Sequence, residues 1–341
     1  HEHRRQRQMC IRDSLLQGYG HIIMIDLNKT EILANFDFST AVDAIKDSYI
    51  AASNKAVTLP PVGHIEFPQS NGDCHIKAGH IHGQSAFAIK IATGFYDNPK
   101  KGLPSSNGMM VAFSAKTGEP IAVLKDEGWL TDMRTGIGGA LATRALARPD
   151  ARRVLILGAG LQCLFQAECL EKLLLEPLDY VVWGRSVHKA EIAAKHLADL
   201  GLTARSVENL QDAVTNADII ITTTPSTKPL IAVNWVRPGT HITAIGADCL
   251  GKQELETDLV LSADLAVCDL TEQSLDHGEF QHAHFSDTLF NVVELGQILS
   301  KEHSGRPSKD AITIADLTGI APQDIAITGA VLDAFTAKSE Y

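Results

Sequence analysis

Seven residues, Val154 to Gly160, constrain this chain more than any others; they read VLILGAG. Four apolar residues in succession predict a strand buried on both faces, as in a parallel sheet, because no polar alternation interrupts them. The residues that follow, Gly158, Ala159, Gly160, Leu161 and Gln162, read as a tight turn opening a helix. The first glycine permits the turn and the second lets backbone N–H groups approach a pyrophosphate. The helix N-terminus adds its partial positive charge there. Cys163 occupies the place of the third glycine in a G-x-G-x-x-G fingerprint, so the turn alone is a weak signal. A second apolar segment, Tyr180 to Trp183, arrives where a βαβ unit requires it, and together they predict a dinucleotide site.

Further apolar segments near 203–207, 218–223, 241–246 and 264–268 alternate with helical stretches, which predicts a doubly wound parallel sheet, a Rossmann domain over 151–315. The preceding part, 22–150, reads differently. A short strand leads into an amphipathic helix that Ser39 or Thr40 can cap. Short apolar segments between turn signals then predict an antiparallel or mixed sheet. A helix over Thr131 to Ala147, capped by Thr131, carries Gly136, Gly138 and Gly139. These weaken an isolated helix but permit close packing. Arg148-Pro149-Asp150 marks the boundary. Near Asp316 the chain changes to a turn and a small-residue helix, so 316–341 is expected to rejoin 22–150 in a strand-rich α+β domain into which the Rossmann domain is inserted.

Residues 1–21 are polar and basic, lack the apolar centre of a secretory signal and do not begin with Met. They read as a non-native or disordered leader, with the native start near Met24. A net charge of −11 argues against a nucleic-acid surface. No run of 18 apolar residues predicts a membrane span. The six cysteines contain no C-x-x-C pair, which favours free thiols and a cytoplasmic protein. Small ligands are the expected partners.

Several polar residues stand where chemistry is plausible. Lys90 lies inside an apolar strand, either as a buried amine of lowered pKa or on a wet face; Lys77 raises the same question one strand earlier. Arg134, early in the small-residue helix, suits a carboxylate, although Asp126 or Asp132 offers an ordinary ion pair. Asp248 follows an apolar strand near the ligand crevice of an open α/β sheet; it is an acid/base candidate or a cap for the next helix. After the second strand the chain reads Trp183-Gly184-Arg185-Ser186 in place of an acidic residue. Arg185 and Ser186 therefore favour the 2′-phosphate of NADP(H) over NAD(H). His75, His80 and His82 cluster without a further Cys/His motif, and no metal site is expected from them.

Five segments carry a resemblance: KIATGFYDNPKKGLPSSNGMM, DEGWLTDMRTGIGGALATRALA, LGAGLQ, GADCLGKQEL and LTGIAPQD. Through them, nearly the whole chain from about Ile25 resembles the ornithine cyclodeaminase/μ-crystallin family. The resemblance implies a homodimer formed by the sheet domain and hydride transfer at the Cα of an L-amino or imino acid. Its leading case is L-ornithine to L-proline plus ammonia; an amino-acid dehydrogenase, a cyclic-imine (Δ1-pyrroline-2-carboxylate) reductase, or an NADP(H)-binding protein of little turnover are the alternatives. It also implies roles. Lys90 matches the active-site lysine and Arg134 the carboxylate-binding arginine. Asp248 matches the acid that handles the amine, and Gly158, Gly160 and Gln162, with Thr135 nearby, match the cofactor site. A second arginine expected after a proline is replaced by Pro60-Pro61-Val62, which leaves Lys77 as its substitute.

Overall fold

The computed structural model describes residues 24–174, 176–285 and 291–339; the leader 1–21 and the start of the expected first strand at Ile22 lie outside them. The chain forms two units. One runs to Arg134 and resumes at Ile320; the other spans Thr135–Gly319.

The first unit is built on β1 (Ile25–Asn28), β2 (Val57–Thr58), β3 (Gly63–Phe67), β4 (Gly72–Ile81), β5 (Ala86–Phe95), β6 (Ser106–Ser114) and β7 (Pro120–Lys125). They form one sheet in the order β1-β7-β6-β5-β4-β2, with β3 also paired to β4. The sheet is mixed, because β1 runs parallel to β7 while the hairpin-connected strands are antiparallel. Helix Ala321–Ser339 covers one face and packs on helix Phe38–Ser53, so the last helix does return to this unit. The earlier helix is capped by Asp37 rather than by Ser39 or Thr40. The Asp37 carboxylate accepts from the Thr40 N–H at 2.8 Å, and a charged acceptor also complements the helix dipole.

In the second unit β8 (Arg153–Leu157), β9 (Asp179–Trp183), β10 (Thr203–Val207), β11 (Ile219–Thr222), β13 (His241–Ala244), β15 (Leu265–Cys268), β16 (Val292–Glu294) and β17 (Thr313–Asp316) form a parallel sheet. Two further strands, β12 (Thr227–Ile231) and β14 (Gln253–Leu255), pair with each other. The eight-stranded order is β10-β9-β8-β11-β13-β17-β15-β16. The six strands expected from the sequence are all present, in the doubly wound order. The last strand, β17, is instead inserted at the centre between β13 and β15. The turn expected near Asp316 is preceded by this strand, whose four residues ending in Asp are too few to show a period. Asp316 is fully buried there, accepting from the Ser274 hydroxyl and from the Phe280 N–H at 3.2 Å. The first unit accordingly resumes at Ile320 and not at Asp316.

Helix Trp129–Leu146 starts two residues before Thr131, because the Asp126 carboxylate accepts from the Leu130 N–H at 2.8 Å; Thr131 lies in the first turn and is not the cap. The division between units falls inside this helix, between Arg134 and Thr135, instead of at Arg148-Pro149-Asp150. Its glycines meet helix Leu161–Leu173: a Cβ on Gly136 would lie 2.7 Å from the Phe165 carbonyl, and one on Gly139 would strike the Gln166 amide.

Candidate active site

The pleat of the first unit's sheet brings its cations together. Lys77 and Lys90 stand directly opposite each other on β4 and β5, and side chains opposite on antiparallel strands share a face. Lys90 is 2% exposed and Lys77 8%. Two ammonium groups so placed repel each other unless anions compensate them. Part of the compensation comes from the covering helix, where Asp324 lies 3.1 Å from the Lys90 Nζ and 3.1 Å from the Arg134 Nε. The Arg134 Nη1 also donates to the Gln323 Oε1 at 3.3 Å. The Gln323 amide donates to the Tyr49 hydroxyl at 2.8 Å and to the Arg134 carbonyl. Burial, reinforced by Arg134, pulls the Lys90 amine down to about 7, with Asp324 opposing. Burial likewise pushes the Asp126 carboxyl up to about 6, against the Leu130 N–H that favours its charged form.

This arrangement resolves the open alternatives for three residues. Lys90 is the buried amine, not a wet-face residue. Arg134 pairs with Asp324 instead of Asp126 or Asp132, and Lys77 stands opposite Lys90 on the same face. Asp324, Gln323 and Tyr49 escaped sequence reading because each comes from a helix distant in the chain. The one available signal was a polar Gln-Asp pair opening a helix otherwise rich in small residues. Three cationic side chains on a dry, hydrogen-bonded scaffold form a cluster whose charge suits a small carboxylate.

The second unit carries the glycine turn where the sequence placed it. Gly158 has a φ of +114° and packs on Thr223, a position where any side chain would be strained and would clash. Gly160 caps helix Leu161–Leu173 without a side-chain hydrogen bond, and a Cβ added there would meet nothing within 4 Å. The open space above a bare helix N-terminus fits the pyrophosphate of a dinucleotide. Beside it, Leu161 is exposed, Ala159 is half-buried, and the Gln166 amide donates to both the Gln162 side chain and the Thr135 carbonyl at 3.1 and 3.0 Å. Arg185 is exposed beyond β9, while the Ser186 hydroxyl accepts from the Lys189 N–H as a helix cap.

Asp248 does not cap the following helix, which starts at Thr257; it is half-exposed in a loop and pairs with Lys252. A buried acid missed by the sequence reading organises this loop. The Glu254 carboxylate accepts from the Thr222 and Thr224 hydroxyls at 2.6 Å each, the Thr224 N–H at 2.7 Å and the Gly246 N–H at 3.0 Å. It thereby ties the ends of β11 and β13 to the segment that bears Asp248. The histidine cluster is rearranged. His80 bonds the Gln84 carbonyl and His82 the Thr58 hydroxyl, whereas His75 stands with His64 and Asp73.

A parallel sheet with a bare glycine turn is the architecture of dinucleotide-binding proteins, and the other unit bears a buried cluster of cations. The chain belongs to the ornithine cyclodeaminase/mu-crystallin family, whose profile matches residues 24–339. It is 39% identical over 293 residues, 84% of this chain and 88% of the relative, to an uncharacterized cyclodeaminase of Sinorhizobium fredii. It is 33% identical, over 92% of this chain and 95% of the relative, to alanine dehydrogenase of Archaeoglobus fulgidus. Among solved structures, Δ1-pyrroline-2-carboxylate reductase of Thermococcus litoralis, in complex with NADH and L-proline, superposes with a TM-score of 0.84 at 25% identity. That match covers 93% of this chain and 98% of the other. Iminosuccinate reductase of Paracoccus denitrificans with NAD+ gives 0.83 at 28% identity, covering 93% and 97%. The chain is therefore an NAD(P)-dependent enzyme of amino or imino acids, related to ornithine cyclodeaminase. Among the described residues no helix is long and apolar enough to cross a membrane.

Proposed function

We propose that this protein exchanges a hydride between a nicotinamide cofactor and the Cα of a small 2-amino or 2-imino carboxylate. The carrying observation is the buried cluster of Lys77, Lys90 and Arg134. Its cations are held in place before any substrate arrives, so a carboxylate entering it loses little orientational freedom beyond its own. Asp324 keeps Lys90 and Arg134 apart and aimed, and Arg134 supplies the planar donor that suits a carboxylate. Lys90, poised near neutrality, exchanges a proton with the substrate. Asp248 is the residue that the family resemblance assigns to the substrate amine, as the acceptor of its proton. The turn of Gly158 and Gly160 would hold the dinucleotide, whose nicotinamide would supply or take up the hydride at Cα.

The relatives named alanine dehydrogenase, Δ1-pyrroline-2-carboxylate reductase and iminosuccinate reductase support a single hydride transfer, as a dehydrogenase or imine reductase. Ornithine cyclodeamination is the second reading, supported by the cyclodeaminase relative and by the presence of an acid at Asp248. Absorbance at 340 nm separates them. Stoichiometric NAD(P)H loss with Δ1-pyrroline-2-carboxylate or with pyruvate and ammonia establishes the single transfer. Proline and ammonia formed from L-ornithine with only catalytic cofactor establishes the cyclodeaminase. Failure of every amino and imino acid overturns both.

Two finer readings accompany this one. Arg185 favours NADP(H): Arg185→Ala should raise KM for NADPH by about tenfold, the worth of one charge-assisted hydrogen bond, and leave that for NADH nearly unchanged. The homodimer reading rests on the face of the first unit's sheet opposite Lys90. There Phe87, Ile89 and Ile91 of β5 lie across from Phe113, Val111 and Met109 of β6, all partly buried except Met109, which is exposed. Such a continuous apolar face suits a second copy of the same sheet.

A further inference from the structure

The cluster around His75 serves none of these roles. His64 and His75 are directly opposite on β3 and β4, their ring centroids 4.6 Å apart, and Asp73 lies two residues before His75, where the pleat returns it to the same face. The His75 Nε2 is 3.9 Å from the Asp73 Oδ1, and one ligand atom from each of the three residues lies within 4.8 Å of the others. We propose that His64, Asp73 and His75 form a binding site for a borderline divalent metal ion of the zinc class.

Four observations support it. Two imidazoles and a carboxylate are the donor set that zinc and its neighbours in the transition series take up, with a position left for water or for a donor atom of a small ligand. The ligands come from two paired strands, so their spacing is set by the backbone ladder and only side-chain rotations are needed to close the site. The second carboxylate oxygen is also held: the Tyr96 hydroxyl donates to the Asp73 Oδ2 at 3.0 Å, the outer support that metal-binding carboxylates generally receive. Finally, His64 is exposed and His75 and Asp73 are each about one-fifth exposed, so an ion can enter from solvent. The site is one alternation along β4 from Lys77, so an ion there would strengthen the positive field on this face of the sheet.

The test uses the full-length protein, stripped with a chelator and dialysed against Zn2+, with bound metal read by mass spectrometry. The sequence HEH at the chain start is a competing pair of imidazoles, so the comparison is with variants. The expected result is a loss of about one zinc per chain in His64→Ala/His75→Ala, and binding weakened at least about tenfold in Asp73→Asn. Zn2+ should also raise the melting temperature of the unaltered protein and not that of the double variant. Because His64 is exposed, the single His64→Ala variant checks that the fold survives. Zinc stoichiometry unchanged in the double variant, or no protection of the unaltered protein by Zn2+, overturns the site. Neither result bears on the hydride-transfer reading, which is measured separately.

Discussion

Lys90 shows how one residue's neighbours decide its chemistry. In the unfolded chain its amine titrates near 10.5, whereas burial beside Arg134 brings it to about 7 in the fold. Between those values the unfolded state holds more protons, so the Lys90 contribution to stability rises with pH from about 7 upward. Lys90→Met should abolish turnover, by at least about 100-fold, and flatten that rise in melting temperature, because the thioether keeps the volume without a charge. Asp324→Asn should lower stability. It leaves Lys90 and Arg134 buried without their shared counter-charge and should cost roughly 3 kcal/mol, read by chemical unfolding. Lys90 and Arg134 were legible as candidates, since a charge in an apolar strand and an arginine opening a glycine-rich helix are local anomalies. Asp324 was not legible as their partner, because ion pairing across 190–234 positions of chain leaves no trace in local pattern.

At the scale of elements, helix Trp129–Leu146 inverts its propensities. Gly136→Ala gains up to about 1 kcal/mol in an isolated helix. Here the new methyl would lie 2.7 Å from the Phe165 carbonyl and 2.8 Å from the Cys169 sulfur. Overpacking of this kind costs about 1–3 kcal/mol, so the variant should be less stable in denaturant titration. The glycines therefore announced a close neighbour in the sequence, though not which one. β17 was the element the sequence concealed. A strand of four residues ending in a buried acid has too few positions to establish a period, and only its place between β13 and β15 makes it a strand.

At the scale of the molecule, the second unit buries acids whose carboxyl groups the fold pushes above their ordinary range. Burial, with Asp269 nearby, pushes the Asp316 carboxyl up to about 7, and burial beside Glu254 raises Glu279 well above the usual range. Between about 4 and 7 the folded state then holds the extra proton, so this contribution to stability falls as pH rises through that window. Asp316→Asn should be nearly neutral at pH 5 and raise the melting temperature at pH 8; equal effects at both would refute the assignment. If the sheet face of Phe87, Ile89 and Val111 forms the dimer, Val111→Lys should yield monomers in analytical ultracentrifugation while the unaltered protein sediments as a dimer. The sequence by itself determined the doubly wound sheet, the strand-rich partner unit and the glycine turn. These depend on local periodicity and on backbone conformations that few residues adopt. Only the tertiary structure decided that Asp324 steadies Lys90 and Arg134, that Glu254 ties the Asp248 loop to the strand ends, and that His75 joins His64 and Asp73 rather than His80 and His82. Those groupings arise from strand register and helix docking, which bring together residues far apart in the chain.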